Sequence, residues 1–204
     1  MGNKKARGFT LIEVLTVLAV ISILTVSASP SFISLMRDRR VNRAAMQLVD
    51  YLRTGRSMAV GRGQPIVVQW NSLGVGGYGS PNPGGTGGIQ LVEPIVTNNS
   101  APTTCGQTLW GSASTQVVNS FDIQDGYYNY TSITFFDDTG KTPSFSQICF
   151  APTGRMYLRS GSTGAGTGGF YPVLGVPSFT ILNTQTGRSR QVFVPPNGVA
   201  RIQR

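Results

Sequence analysis

A long apolar segment near the start of the chain is interrupted by a single charge. It extends from Phe9 to Ala28, twenty residues with one carboxylate, Glu13, and no basic side chain. A helix of this length is about 30 Å long at about 1.5 Å per residue, which matches the hydrocarbon thickness of a bilayer. The pattern predicts a transmembrane helix over residues 9–29.

Beyond Pro30 the apolar residues become periodic. They recur at near-helical spacing at Val41, Ala45, Leu48, Leu52 and Ala59. This periodicity predicts an amphipathic helix over residues 30–63 that continues the apolar helix. We expect its apolar stripe to pack on the rest of the protein, and the glycines near residue 63 to end it.

The remaining pattern is typical of β-strands. Segments rich in β-branched and aromatic residues alternate with turn residues, and the candidate strands are 66–70, 116–118, 132–136, 147–150, 179–182 and 191–194. Their spacing favours antiparallel hairpins. Two glycine-dense stretches without charge, 74–88 and 161–169, are interpreted as long surface loops.

Composition supports a β-rich head. Of the 204 residues only 12% are charged, whereas 26 are glycine and 12 are proline, which suits many turns rather than a helical bundle. After the polar leader 1–8 and the apolar helix, about 140–170 residues remain, enough for one domain. The expected fold is α+β: a long N-terminal helix, membrane-spanning in its first half, packs on an antiparallel β-sheet head over residues 64–204.

Basic residues outnumber acidic residues, 17 against 8, and they form two groups. The first group follows the apolar segment and comprises Arg37, Arg39, Arg40, Arg43, Arg53, Arg56 and Arg62. The second lies after Asp138, where the chain has no further acid, and comprises Lys141, Arg155, Arg159, Arg188, Arg190, Arg201 and Arg204. This asymmetry indicates a polyanionic partner, although a solvated helix face is the simpler interpretation of the first group.

Residues for catalysis are scarce. The chain has no histidine and two cysteines, which excludes a Ser/His/Asp triad, a Cys/His pair and the usual zinc sites. Asp137 and Asp138 precede Thr139-Gly140 and are interpreted as a polar hairpin turn. Residues 164–169 match GxGxxG but follow no hydrophobic strand and open no helix, so they do not indicate a dinucleotide site. We expect no enzymatic activity, no cofactor and no metal.

Glu13 is the unusual residue of the apolar segment. A carboxylate at the centre of a membrane helix costs about 2.5–3.5 kcal/mol on insertion scales, and somewhat less near an end. Residues 7–13, with the sequence RGFTLIE, resemble the processing site of type IV prepilins and pseudopilins. The resemblance implies that a prepilin peptidase cuts between Gly8 and Phe9 and methylates the new amino terminus. It also implies that Glu13 neutralises the charged terminus of Phe9 on a neighbouring pilin during assembly.

Two other interpretations of the N-terminus stay open. Val26-Ser27-Ala28 has the small residues of a leader-peptidase site, although a signal peptide usually has an apolar core of about 7–15 residues without an acid. The second interpretation is that the segment is a plain membrane anchor with an incidental glutamate. A mature chain that begins at Ser29 would support the first of these, and one that begins with methylated Phe9 would exclude both.

Cys105 and Cys149 are the two cysteines of the chain. In a head exported into an oxidising space, they are expected to form one disulfide. The alternative is that both are buried as small hydrophobic residues.

A second candidate site lies near the C-terminus, in the sequence Gly187-Arg188-Ser189-Arg190. In an extended backbone, Arg188 and Arg190 project to one side, and Gly187 allows a tight turn before them. Guanidinium groups bind phosphate oxygens in bidentate fashion, and no acid nearby in sequence competes for them. Arg201 and Arg204 are expected to widen this basic patch.

The whole chain resembles the FimT/GspH group of minor pilins and pseudopilins. Gly187, Arg188 and Arg190 match the GRxR element of FimT-type minor pilins, with Ser189 at the variable position, which implies DNA binding during uptake for natural transformation. The resemblance implies a subunit held in lipid in the bacterial inner membrane, with its head in the periplasm. It later joins other major and minor pilins in a pilus at the cell surface. The alternative is a structural pseudopilin of type II secretion, or a pilus-priming subunit without DNA binding.

Overall fold

The computed structural model describes residues 9–71, 88–96, 102–107, 110, 115–122, 130–161 and 169–203, with the backbone alone at 27–30 and 121–122. The leader 1–8 and Arg204 lie outside the described residues, as does nearly all of the two glycine-rich loops. The chain divides into two compact units, residues 1–37 and residues 38–204. One helix, α1 (Leu11–Arg62), covers both predicted helical ranges except residues 9, 10 and 63.

Helix α1 begins at a polar cap. The Glu13 N–H lies 3.1 Å from the carbonyl oxygen of Thr10 and 3.4 Å from its Oγ1, and a threonine followed by a glutamate three residues later is a common helix start. Among the described residues, no unbroken helix has the length and apolar composition needed to cross a membrane. The parts of α1 on either side of residues 27–30, Leu11–Val26 and Ser31–Arg62, meet that criterion only when they are taken together, by length and composition alone.

In the described part of the second unit, ten strands follow the helix. They are β1 (Ile66–Asn71), β2 (Gly88–Pro94), β3 (Thr115–Asp122), β4 (Thr131–Phe136), β5 (Phe145–Phe150), β6 (Met156–Gly161), β7 (Tyr171–Pro172), β8 (Ser178–Asn183), β9 (Ser189–Phe193) and β10 (Arg201–Gln203). Every described strand pair is antiparallel. The strands form two sheets: sheet A, in the order β3-β2-β1-β5-β6-β7, and sheet B, in the order β10-β9-β8-β4. The α+β prediction is confirmed.

One hydrophobic core joins the later part of α1 to both sheets. The helix contributes Val41, Ala45, Leu48, Leu52 and Ala59, the periodic residues of the sequence pattern, and all are buried. Sheet A adds residues such as Val68 and Phe150, and sheet B adds Phe135 and Phe179, whose ring centroids are 4.8 Å apart. The predicted apolar stripe of the helix therefore packs on the sheets.

Polar contacts also hold α1 against sheet A. The Tyr51 hydroxyl donates to the Ser120 carbonyl oxygen of β3 at 2.7 Å, and burial raises the pKa of this hydroxyl. At the end of the helix, Arg62 pairs with the buried carboxylate of Glu93 in β2, which also accepts a hydrogen bond from Gln116 of β3. These contacts fix the rotation and the end of the helix beside the first three strands.

A smaller cluster, which contains both cysteines, lies on the other face of sheet A. Cys105, in a short 3-10 helix (Cys105–Gln107), is bonded to Cys149 of β5, with their Cα atoms 6.1 Å apart. Both are buried, together with Val67 and Trp110, and the Trp110 ring N–H donates to the Cys105 carbonyl oxygen at 2.8 Å. The predicted disulfide is confirmed.

The paired acids at the end of β4 form a tight polar turn, but the prediction of a hairpin is wrong, because β4 lies in sheet B and the next strand, β5, lies in sheet A. Asp137 Oδ1 accepts hydrogen bonds from the Thr139 N–H at 2.9 Å and the Lys141 N–H at 2.8 Å. Gly140 adopts a φ of 81°. Asp138 accepts a hydrogen bond from the Tyr171 hydroxyl at 3.2 Å. The Asp137 carboxylate therefore stabilises the turn itself, and the Asp138 carboxylate connects the turn to β7.

Candidate anion-binding surface

A tight turn between β8 and β9 presents the GRxR sequence. The Asn183 N–H donates to the Arg188 carbonyl oxygen at 2.8 Å, and the Gly187 N–H donates to the Asn183 carbonyl oxygen at 2.9 Å. The Asn183 side chain also accepts from the N–H of Gln185 at 2.9 Å and of Thr186 at 3.1 Å. Gly187 has a φ of 71°, a conformation that glycine adopts without steric cost.

Arg188 contacts helix α1 through an ion pair. Its Nη1 lies 3.0 Å from Oδ2 of Asp38, and Oδ1 of the same carboxylate accepts a hydrogen bond from the Thr186 hydroxyl at 3.0 Å. The Asp38 side chain is 13% exposed, whereas the Arg188 side chain is 70% exposed. The Arg188 side chain is thus positioned by the helix while most of it faces solvent.

Arg190 contacts the same helix one turn later. Its Nε donates to Oδ1 of Asn42 at 2.7 Å, and its Nη1 donates to the Ser189 carbonyl oxygen at 3.3 Å. Because both arginines reach α1, the prediction that they project to one side of the strand is confirmed. The hairpin and the helix form the two walls of the site.

The other predicted members of the patch are placed differently. Ser189 pairs with Leu182 across the sheet and points away from the helix, since side chains alternate between the faces of a strand. Arg201 lies opposite Phe193, so it shares the outer face of sheet B rather than the inner face of Arg190. Arg204 lies outside the described residues. The structure therefore brings together Arg188 and Arg190 and leaves Arg201 on the opposite face.

Sequence reasoning missed the acid and the amide that hold the arginines. No acid is near the arginines along the chain, but Asp38 and Asn42 are near them in space. Asp38 is 148 residues from Thr186 in sequence, and Asn42 is 148 residues from Arg190. A signal was present, since Asp38 and Asn42 are four residues apart and so lie on one face of a helix. The sequence does not indicate that the β8–β9 hairpin packs against that face.

The N-terminal candidate site lies in the first unit. Phe9 is 82% exposed, and Gly8, on the other side of the expected cleavage point, lies outside the described residues. Glu13 shares a shallow surface depression with Phe9, Val14, Val17 and Leu18. Its place in the first helical turn also favours a carboxylate, because the helix dipole is positive there.

Metal-ligating residues do not cluster in the described part of the chain: it contains no group of three or more His, Cys, Asp or Glu residues placed to hold an ion. The chemistry that the C-terminal arrangement offers is anion binding by two guanidinium groups.

Comparisons with known proteins bear chiefly on the N-terminus. The family described as "Prokaryotic N-terminal methylation motif" matches residues 3–29. No curated protein matches the chain in sequence.

The solved structures that are similar to this chain include the following two, both at low identity. The type IV minor pilin FimU of Pseudomonas aeruginosa covers 83% of this chain and 90% of its own, at 14% identity and a TM-score of 0.43. The minor pseudopilin EpsH from the Type 2 Secretion System of Vibrio cholerae covers 80% of this chain and 96% of its own, at 11% identity and a TM-score of 0.43. The chain carries the N-terminal methylation motif of type IV pilins, and the later part of α1, from Val41, packs on antiparallel sheets. The motif supports a pilin or pseudopilin that is membrane-anchored before assembly.

Proposed function

We propose that this chain is a minor type IV pilin that binds DNA through its C-terminal arginines and supports DNA uptake in natural transformation. Before assembly the N-terminal helix holds it in the inner membrane, with the head in the periplasm. Prepilin peptidase cuts between Gly8 and Phe9 and methylates Phe9, and Glu13 then guides assembly with other pilins. The motif at residues 3–29 supports the pilin part of this proposal.

The terminus of the mature protein tests the processing step. Removal of residues 1–8 exposes Phe9, so sequencing and mass spectrometry of the mature chain should find methylated Phe9 at its start. A mature chain that begins at Ser29, or an uncut leader, would contradict the processing proposal. The replacement Gly8→Leu, which removes the small residue before the cut, should leave the leader attached.

One observation carries the DNA-binding part: Arg188 is 70% exposed although it is ion-paired. A guanidinium has five N–H donors in a planar fork, and the contact with Asp38 involves Nη1. The ion pair therefore fixes the direction of the side chain and leaves donors for a phosphate. Arg190, held by Asn42, adds a second guanidinium beside it without adding a negative charge.

Binding of this kind is electrostatic and tolerant of sequence, because it is directed at the phosphate backbone. The test is fluorescence anisotropy of labelled duplex DNA with the full chain in a neutral detergent, over a series of salt concentrations. Replacing Arg188 and Arg190 by alanine should make the negative slope of log K against log salt shallower by about 0.9 for each phosphate that is no longer neutralised. Unchanged affinity and slope in the double variant would contradict the site.

A second candidate function is favoured by the same contacts. Arg188 and Arg190 both engage α1 inside the molecule, which suits a structural pseudopilin in which they only fasten the hairpin to the helix. In that case the double variant should lower the unfolding temperature of the head, and the native chain should not shift DNA at low salt. Binding to other minor pilin heads in the absence of DNA binding would support this second function.

A further inference from the structure

Helix α1 carries two exposed arginines on the turn that the β8–β9 hairpin contacts. Asp38 and Asn42, which hold Arg188 and Arg190, are four residues apart on the helix. Arg39 and Arg43 each follow one of them and are also four residues apart, and both are exposed. The two helical pairs therefore form neighbouring stripes on one segment of α1.

The rotation of the helix places the arginine stripe on the solvent side of the hairpin contact. Successive residues turn by about 100°, because an α-helix has about 3.6 residues per turn. Val41 and Ala45, on one side of the Asp38–Asn42 stripe, are buried in the core. Arg39 and Arg43 lie on the other side and are exposed. The hairpin contact thus separates the core from the arginine stripe.

The spacing of the two arginine pairs also matches. Arg39 and Arg43 are separated by about 6 Å along the helix axis, and Arg188 and Arg190 by about 6–7 Å along their extended segment. Arg188 meets the helix at Asp38 and Arg190 meets it one turn later at Asn42, so the two separations run in the same direction. The result is two parallel rows of two arginines.

We propose that Arg39 and Arg43 form, with Arg188 and Arg190, a single surface for the phosphate backbone of duplex DNA. The nature of the ligand rests on the proposed function, and the new element is the helix row. The five charged residues named here comprise four arginines and Asp38, a net charge of +3. A backbone that carries a charge about every 1.7 Å of duplex axis offers both rows phosphates at once.

The surface has a boundary on the helix. After Arg43 the next two exposed positions on the helix are Met46 and Asp50, an apolar and an acidic residue. Arg53 is exposed on the same helix beyond them, about 15 Å from Arg43 along the axis. Arg155 is exposed in the turn between β5 and β6. The neighbouring Gly154 lies against Arg56, about 20 Å along the helix from Asn42.

Arg53 and Arg155 therefore supply a matched control. The variants R39A/R43A and R53A/R155A remove the same number of charges from exposed arginines, and only the first pair lies beside the hairpin. We would compare both, together with R188A/R190A, by anisotropy of a labelled duplex of mixed sequence, using full chains in neutral detergent. The unfolding temperature of each variant shows whether the fold is retained.

The plot of log K against log salt has a negative slope. We expect R39A/R43A to make this slope shallower by about 1.8, as R188A/R190A does, because each phosphate that is no longer neutralised accounts for about 0.9. The reduction should be similar for duplexes of unrelated sequence. The control R53A/R155A should change the slope by less than the value for one phosphate.

The outcomes separate this inference from the proposed function. If R39A/R43A behaves like the control while R188A/R190A shows the shallower slope, Arg39 and Arg43 do not belong to the DNA-binding surface, and the proposed site on the hairpin is retained. If only R39A/R43A weakens binding, the two rows do not form one surface. If the native chain does not bind DNA, or none of the variants changes binding, the proposed function fails and the shared surface fails with it.

Discussion

Asp38 is the residue on which the direction of Arg188 depends, and it is also the negative charge closest to the candidate anion site. Its two carboxylate oxygens accept from Thr186 and Arg188, each at 3.0 Å. An exposed ion pair contributes about 0–1 kcal/mol to stability, so its main effects are on orientation and on the local potential. The same carboxylate that positions the guanidinium competes with a phosphate for it.

The variant Asp38→Asn separates these two effects. Asparagine keeps an oxygen for the Thr186 hydroxyl and removes the negative charge, so duplex DNA should bind more tightly at low salt. The unfolding temperature should change little. Asn42→Asp is the mirror-image control: it adds a charge beside Arg190 and should weaken binding. If D38N binds DNA no better than the native chain, Asp38 does not compete with phosphate.

Gly187 sets the turn that delivers the arginines. Its φ of 71° costs an alanine about 1–2 kcal/mol, and no atom lies within 4 Å of an added Cβ, so the cost belongs to the backbone alone. Gly187→Ala should therefore lower the free energy of unfolding by about this amount, measured by urea titration with tryptophan fluorescence. Gly169→Ala, at an equally open position without positive φ, is the control and should be close to neutral. Equal effects in the two variants would contradict the argument.

At the scale of elements, the strands that the sequence predicts are those with continuous β-branched or aromatic runs. The six predicted segments fall in β1, β3, β4, β5, β8 and β9, with Val194 one residue beyond β9. Strand β2 was missed because its sequence, GIQLVEP, has no continuous apolar run: Gln90 interrupts it and Glu93-Pro94 ends it, although nearly all of the strand is buried. Strand β10, three exposed residues, is defined by its pairing with β9 and has no apolar signal of its own.

The disulfide is an element-scale constraint that the sequence does predict. It joins the segment before β3 to β5 across 44 residues, and a crosslink over a loop of this order contributes about 2–4 kcal/mol. Reduction of the native chain should lower the free energy of unfolding of the head by about that amount in a urea titration. The same reductant applied to C105A/C149A should have no effect. An unfolding midpoint of the native chain that is insensitive to reduction would contradict a stabilising bridge.

At the scale of the whole molecule, the features that the sequence reveals are contiguous. The apolar run, the processing site and the charge of the tail are each read from neighbouring residues, and two cysteines leave one possible pair. The candidate anion site is not contiguous, because its helix wall and its hairpin wall are separated by 148 residues. Sequence reasoning identified the arginines of the hairpin, interpreted the helix arginines as a solvated face, and had no means to predict that α1 turns Asp38 and Asn42 toward sheet B.

Assembly into a filament provides the last prediction at this scale. Glu13 stands among apolar residues that are exposed in the single chain, including Val14 and Leu18, and in lipid its charge requires a partner of opposite sign. The processed amino terminus of Phe9 on a neighbouring subunit supplies that charge. Glu13→Gln has nearly the same shape and no charge, so it should be cleaved normally and should be largely absent from sheared filaments.

Glu13→Asp is the control for this prediction, because it keeps the charge and shortens the side chain by one methylene. Its recovery in filaments, measured by immunoblot against the membrane-retained fraction, should lie well above that of the glutamine variant. Shape alone would give the opposite order, since glutamine matches glutamate more closely than aspartate does. Equal recovery of the native chain and Glu13→Gln would show that assembly does not depend on the charge.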